Sequence, residues 1–170
     1  MNIEKGKLWN LFFVCTGFGS LLYWNSCLNL VSYFILNVRG DIFTHYSFAV
    51  SFGGLLAFIV GPHFFRKFSN RSSILFSFIF SGVLFFITLY LVQLNFAIGS
   101  KSFITTLIIF FCGFFITIVQ GKGAGIASSI GSAEIRLFNF GGGLCGATVS
   151  LVNIFLNIFD PVDPLSPVDE

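Results

Sequence analysis

The residues of this sequence with a possible functional role are side-chain amides and glycines inside long apolar runs. Asn25 follows Trp24 in the first run, and Gln120 lies deep in the fourth. A catalytic site needs paired carboxylates, a histidine-rich cluster or a nucleophile with its base, and the apolar runs contain none of these. The cysteines lack metal-ligand spacing. We therefore expect no enzyme, cofactor or metal site, and interpret the amides as binding or packing groups.

The first apolar run combines small residues with a tryptophan and an asparagine. At about 3.6 residues per turn, Leu21 and Trp24 share one face with Gly17, and Asn25 belongs to an adjacent polar stripe. Small residues let helices approach closely and amides bridge them, which favours helix packing. A tryptophan far from both membrane interfaces is also typical of a polar cavity. The two interpretations both stay open.

Gln120 and Lys122 are polar residues inside the fourth run. In lipid, the glutamine amide must find partners or line water. Lys122 points roughly 200° away around a helix, so we do not expect it in the same lining. A lysine so placed can extend its ammonium group to the headgroups. We expect the Gln120 amide either to find partners on other helices or to line water, and the Lys122 ammonium to lie at the membrane surface.

Small residues spaced four apart predict close contacts between membrane helices. Gly121 and Gly125 form such a pair in the fourth run, and Gly142 and Gly146 form one in the fifth. The glycines of the fifth run do not predict a phosphate loop, because no Lys-Ser or Lys-Thr follows them. From these patterns we assign helix packing to Gly17, Gly19, Asn25, Gly121, Gly125 and Gly146.

The composition requires helices in a membrane to position these residues. The chain has 170 residues, of which 9% are charged, 55% are hydrophobic and 26 are phenylalanine. An average soluble domain is about 25% charged, so the composition excludes an ordinary soluble domain, a disordered chain and a basic nucleic-acid binder. Barrel strands alternate over about ten residues, whereas these runs are longer and unbroken. We predict an all-α integral membrane domain over residues 1–159, with five spans at about 8–38, 42–62, 73–98, 102–131 and 137–159.

Basic residues are distributed unequally between the two sides of such a bundle. The richer side carries Lys5, Lys7, Arg66, Lys67, Arg71 and Arg136. The opposite connections carry Arg39, beside Asp41, and Lys101. The positive-inside rule then places the N-terminus in the cytosol and the acidic, proline-rich tail of residues 160–170 on the other side. We expect the plasma membrane as the location.

Three blocks in this order resemble the equilibrative nucleoside transporter family. The first, G-x-G-x-L-L-P-W-N followed by Y-F, is similar to Gly17, Gly19, Leu21, Leu22, Trp24, Asn25, Tyr33 and Phe34. The second, Q-G-x-x-x-G-x-A-G, is similar to Gln120, Gly121, Gly125 and Ala127. The third, G-Q-G-L-A-G, is similar to Gly141, Gly143, Leu144 and Gly146. The chain departs from the pattern at Tyr23, Lys122, Ser128 and Gly142.

The resemblance implies a facilitative carrier of nucleosides or nucleobases. It places Leu21, Trp24 and Gln120 in the wall of a central substrate cavity, and gives Gly141 and Gly146 a packing role. It also implies a fold like the N-terminal half of a major-facilitator-like transporter. Eleven spans, as in that family, need at least about 220 residues in helices. We therefore expect a second polypeptide or a second copy to supply the missing half.

Two other hypotheses remain open from the sequence. The chain could be a non-transporting fragment, either a truncated product or an assembly or regulatory membrane subunit. It could also be a small helical scaffold with no relation to transport. The sequence does not distinguish purine from pyrimidine substrates, and it does not show whether transport would be coupled to protons.

Overall fold

The apolar runs form helices, because a helix satisfies every backbone hydrogen-bonding group within one segment when no water is present. A computed structural model of the chain describes residues 3–159. They form α1 (Ile3–Asn29), α2 (Val31–Asn37), α3 (Ile42–Phe64), α4 (Asn70–Gln93), α5 (Ile98–Ile130) and α6 (Ser132–Phe159). The acidic tail predicted at residues 160–170 lies outside the described residues.

Five of these helices are long and apolar enough to cross a membrane. The candidate spans are Leu8–Asn29, Ile42–Phe64, Asn70–Gln93, Ile98–Ile130 and Ser132–Phe155. Residues 3–159 contain no β-strand. The all-α membrane fold predicted from composition is therefore confirmed.

The first apolar run is interrupted at Leu30, whose φ and ψ of −98° and 13° depart from helical values. The Leu30 N–H donates to the Ser26 carbonyl and the Phe34 N–H donates to the Leu30 carbonyl, both at 3.0 Å, so helical hydrogen bonding continues from α1 into α2. Residues 8–38 are more than a bilayer core of about 30 Å requires, and the additional residues form α2, which packs against α3.

One end of the bundle is formed by the starts of α1, α4 and α6 and the ends of α3 and α5; we call it the basic end. It carries Arg66, Lys67, Arg71 and Arg136. The ammonium Nζ of Lys122 donates to Oδ1 of Asn70, the first residue of α4, at 3.0 Å. Lys122 therefore extends toward the end of the bundle, as expected for a lysine that reaches the headgroups.

The basic side chains at the opposite end, Arg39 and Lys101, bind groups within the protein. The guanidinium Nε of Arg39 lies 2.6 Å from Oδ1 of Asp41. The ammonium of Lys101 donates to the carbonyl of Val92 at 3.0 Å, in the last turn of α4, where carbonyl groups lack helical partners. Among the described residues, the ion pairs found lie at this end of the bundle, and none involves Arg66, Lys67, Arg71 or Arg136.

α5 is the central helix of the bundle. Of the 18 most apolar consecutive residues of α5, 50% are buried inside the protein, whereas the corresponding share for the other spans is 22–33%. It packs against α1, α3, α4 and α6. Each of the other spans therefore keeps a broad face toward lipid, and α5 organises the interior.

α1 and α6 touch backbone to backbone. A Cβ atom on Gly17 would overlap the carbonyl oxygen of Phe138, and one on Gly141 would overlap the carbonyl oxygen of Val14. Such close approach is the usual function of glycine at membrane helix contacts. The predicted packing role of Gly17 and Gly141 thus corresponds to a direct contact between their helices.

A second backbone contact joins α3 to α5. A Cβ on Gly53 would overlap the carbonyl oxygen of Phe110, and one on Gly113 would lie 2.6 Å from the carbonyl oxygen of Val50. These glycines were not assigned to packing from the sequence. The bundle therefore contains two tightly joined helix pairs, α1–α6 and α3–α5.

α4 packs on α5 through small hydroxyl residues. The buried positions of α4 include Ser73, Ser77, Ser81 and Thr88. The Ser73 and Thr88 hydroxyls donate to carbonyls four residues earlier in the chain, at 2.9 and 3.0 Å, so these polar groups are satisfied locally. This face lets α4 approach α5 closely and attaches it to the α3–α5 pair.

We expect Gly17→Ala to lower the thermal unfolding midpoint of the protein in detergent. The added methyl group must displace the backbone of α6, and overpacking of this kind typically costs about 1–3 kcal/mol. The matched control is Gly143→Ala on α6, where a Cβ meets nothing within 4 Å. The control should leave the midpoint unchanged or raise it, because alanine favours helix by about 1 kcal/mol over glycine. Equal effects of the two substitutions would contradict the contact.

Candidate functional site

A half-open recess of about 270 Å³ lies where α1, α5 and α6 meet. Each of the three helices contributes at least two residues to its wall. The lining consists of Ser20, Leu21, Gln120, Ala124, Phe138, Asn139 and Gly142. The recess therefore brings together Leu21 and Gln120, two of the three residues assigned to substrate binding from the resemblance.

The recess lies near the middle of the membrane. Gln120 is ten residues before the end of α5 and Gly142 is ten residues after the start of α6. At 1.5 Å per residue, both are about 15 Å from the basic end, which is half of a hydrocarbon core of about 30 Å. Polar side chains at this depth are costly in lipid, so their presence in a recess is consistent with a binding role.

Glycine contacts set the shape of the recess. The α1–α6 contact at Gly17 and Gly141 holds the two helices together directly beside it. At Gly142, a Cβ would lie 3.0 Å from the Leu21 side chain, so the absence of a side chain there leaves room for Leu21. The wall of the recess therefore depends on the same glycine-rich segment that joins the helices.

The amide of Gln120 is weakly bonded within the protein. Its Nε2 reaches the Ser20 carbonyl oxygen at 3.5 Å, which is long for an N–H···O bond. The Ser20 hydroxyl donates instead to the Gly17 carbonyl at 2.7 Å. Gln120 therefore has hydrogen-bonding capacity available for a molecule in the recess.

Asn139 adds a second side-chain amide that the sequence did not assign to binding. It lines the recess from α6 and is exposed. Asn139 lies three residues before Gly142, so the two share one face of the helix. This spacing is the sequence feature that could have predicted Asn139 in the recess. The recess thus presents two amides and no ionisable side chain.

Trp24 lies outside the recess lining. Its ring stacks on Phe43 of α3, with centroids 6.2 Å apart and planes 23° from parallel. It also packs against the buried cluster around Tyr23 and Cys27. The aromatic ring in the recess wall is Phe138. The sequence left helix packing and a polar cavity open for Trp24, and the contacts that the structure shows for Trp24 are packing contacts.

Asn25 and Gly146 belong to the α1–α6 contact. The Asn25 amide donates to the sulfur of Cys145 on α6 at 3.6 Å. A Cβ on Gly146 would lie 3.8 Å from the same amide, which is ordinary contact distance. On the opposite flank of α1, a Cβ on Gly19 would overlap the ring of Phe78 on α4. These residues assigned to packing therefore lie at helix contacts.

Gly121 and Gly125 lie elsewhere. Both are exposed, and a Cβ on either would meet no described residue within 4 Å. The glycine of this segment that lies at a contact is Gly123, where a Cβ would be 2.8 Å from the Phe138 ring and 3.0 Å from Thr16. The glycine spacing in the sequence identified the correct segment of α5. The rotation of α5 about its axis decides that Gly123, and not Gly121 or Gly125, faces α1 and α6.

Comparison with protein-family models, curated proteins and solved structures gave no match. The chemistry available to the site therefore has to be inferred from its geometry. Within the part of the chain that the structure describes, no group of His, Cys, Asp and Glu side chains is arranged to hold a metal ion. The recess can hydrogen-bond a small neutral molecule through two amides and cover its apolar surface with Leu21, Ala124 and Phe138.

We expect Trp24→Leu and Gln120→Leu to have different effects on thermal stability in detergent. Trp24→Leu removes a stacked ring pair worth about 0.5–1.5 kcal/mol beyond its buried area, so the unfolding midpoint should fall, and Trp24→Phe should restore part of the loss. Gln120→Leu removes one long hydrogen bond and should leave the midpoint nearly unchanged. If Gln120→Leu is as destabilising as Trp24→Leu, the Gln120 amide is a packing group instead of a recess wall.

Proposed function

We propose that this chain is one half of a facilitative membrane carrier for nucleosides or nucleobases. The observation that carries the proposal is the recess near the membrane middle, in which the Gln120 and Asn139 amides face an apolar wall. Neutral planar solutes with donor and acceptor edges suit this combination. The sequence blocks that contain Gln120 and Leu21 support the same class of substrate.

The amides match the edge chemistry of nucleobases. Glutamine and asparagine side chains pair bidentately with adenine by donating and accepting one hydrogen bond each. The Phe138 ring and Leu21 supply apolar surface for the face of the base. In this proposal Gln120 and Asn139 read the base edge, Phe138 and Leu21 cover its face, and Trp24 supports α1 from behind through Phe43.

The open side of the recess supports a second component. A recess that is half open near the membrane middle exposes amide groups to lipid, which is unfavourable. A second polypeptide or a second copy of this chain would cover it and complete a cavity between two halves. Movement of one half against the other is the usual route to alternating access.

A second candidate function is a membrane subunit that binds no substrate. The volume of the recess favours it, because about 270 Å³ is slightly below the roughly 300–1,000 Å³ typical of small-molecule sites. The packing of Trp24 on Phe43 also favours it. Direct binding measurements distinguish the two candidates.

The proposed orientation places the basic end in the cytosol of cells that carry the protein in the plasma membrane. It rests on the basic residues at that end, which form no ion pair with a described residue, and on the bonded Arg39 and Lys101 opposite, following the positive-inside rule. The connection between α3 and α4 is then cytosolic, and the connection between α2 and α3 is extracellular.

We expect an impermeant maleimide to label Gly40→Cys on intact cells and Lys67→Cys only after permeabilisation. Gly40 and Lys67 are both exposed and lie in connections at opposite ends of the bundle. The unsubstituted chain is the control, because Cys15, Cys27, Cys112 and Cys145 all lie within spans. Labelling of Lys67→Cys on intact cells, with Gly40→Cys protected, would reverse the orientation.

We expect the purified chain in lipid nanodiscs to bind radiolabelled adenosine or uracil, measured by equilibrium scintillation proximity. Gln120→Leu and Asn139→Leu should each weaken binding about 5- to 150-fold, because a lost base contact is worth roughly 1–3 kcal/mol. The matched control is Gln93→Leu, an exposed glutamine at the end of α4, which should bind like the unsubstituted chain.

The outcomes separate the two candidates. Binding that is lost in both recess variants and kept in the control supports the carrier, and uptake of the same solute by cells lacking their own carriers then tests transport. Binding of neither solute by the unsubstituted chain contradicts base recognition by this recess on its own and favours the non-binding subunit. Equal loss in Gln93→Leu would show that the recess is not the binding site.

A further inference from the structure

Another cavity lies at the basic end of the bundle and is separate from the recess. It measures about 630 Å³ and lies between α1, α4 and α5. Its lining is mostly apolar and consists of Leu8, Trp9, Phe12, Asn70, Arg71 and Ile126. It shares no lining residue with the recess around Gln120, so the nucleoside proposal leaves it without a role.

A second cavity of about 300 Å³ continues from the first along the seam between α1 and α4. The two cavities share Phe12 and Arg71. The inner part reaches Phe78, seven residues beyond Arg71 and therefore about 10 Å deeper along α4. We call the two together the α1–α4 groove; its inner lining is Phe12, Cys15, Thr16, Ile74, Leu75 and Phe78.

The α1–α4 groove has one charged end and one apolar end. At its deep end the Phe78 ring lies against α1 at Gly19. At its mouth, Arg71 has no carboxylate of a described residue within ion-pair distance. Lys122 lines a separate cavity toward α3, and its ammonium donates to Asn70, the lining residue that precedes Arg71, so a second positive charge lies near the mouth. The groove is thus amphipathic, with positive charge at the membrane surface and apolar walls below.

We propose that the α1–α4 groove binds an anionic phospholipid. Arg71 binds the phosphate, for which the planar guanidinium is suited by its paired N–H groups, and Lys122 adds a second positive charge. One acyl chain lies along Phe12, Ile74, Leu75 and Phe78. The groove opens at the side of the bundle, where Leu8 and Leu75 are exposed, so lipid is the molecule that reaches it directly.

Charge complementarity selects an anionic lipid over a neutral one. Basic pockets between membrane helices on the cytoplasmic side are typical sites for acidic headgroups. In the orientation proposed above, the mouth of the groove faces the leaflet that is rich in such lipids. The site neither requires nor excludes nucleoside binding, because it shares no lining residue with the recess.

The test measures binding of dioleoyl phosphatidylglycerol and dioleoyl phosphatidylcholine to the detergent-purified chain by native mass spectrometry. These probes share their acyl chains and differ in headgroup charge. We expect one phosphatidylglycerol to bind more tightly than phosphatidylcholine, and Arg71→Gln to weaken its binding about tenfold. The matched control is Arg136→Gln, an arginine at the same end outside the groove, which should leave the affinity unchanged.

A second variant tests the apolar part of the groove. Leu75→Trp places a larger ring in the inner groove from an exposed position of α4, so the fold should tolerate it while lipid affinity falls. Equal binding of the two lipids, or equal weakening by Arg71→Gln and Arg136→Gln, would overturn the proposal. Full displacement of the lipid by millimolar inorganic phosphate would overturn it too, since it would show an anion site that makes no use of the acyl chain.

Discussion

Two pairs of helices in this bundle touch backbone to backbone, and no side chain larger than a hydrogen atom fits where they do so. The contacts are at Gly17 and Gly141 between α1 and α6, and at Gly53 and Gly113 between α3 and α5. In a membrane, apolar side chains gain little by leaving lipid, so close van der Waals packing has to hold helices together. Much of the remaining structure depends on these two contacts, because they fix which faces of α1 and α5 are left to form cavities.

The recess illustrates this dependence. Gln120 projects from the side of α5 that α1 and α6 cover incompletely, and its amide reaches only a carbonyl at 3.5 Å. Asn25, four residues beyond Leu21 on α1, instead donates a hydrogen bond from its amide to Cys145 across the helix contact. Two amides in neighbouring parts of the bundle therefore do different things: one joins helices and the other remains available. Because both side chains have the same donor and acceptor groups, the difference comes from what each one faces: Asn25 faces Cys145 and Gln120 faces the recess.

The sequence predicted the helices well and the environment of individual side chains less well. Long runs without charge predict spans because only a helix satisfies the backbone in lipid. The assignment of Gly17 and Asn25 to helix packing did not name the helix that they contact. The spacing of Gly121 and Gly125 could not show that Gly123 faces the neighbours, because the rotation of α5 is set by several helices at once. The partner of Trp24 is Phe43 on another helix, and no periodicity within α1 contains that information. The position of Asn139 in the recess could not be predicted for the same reason, because the other residues of the recess include residues of α1 and α5.

The helix contacts also divide the bundle into two units, and both proposed sites lie in the seam between them. α1 and α6 form one unit through their glycine contact, and α3, α4 and α5 form the other through glycines and the hydroxyl face of α4. The recess lies between α5 and the α1–α6 unit, and the α1–α4 groove lies between α1 and the unit that contains α4. Thr16 of the groove and Ser20 of the recess are four residues apart on α1, about 6 Å along the helix. The two sites therefore use neighbouring turns of the same helix as part of their walls.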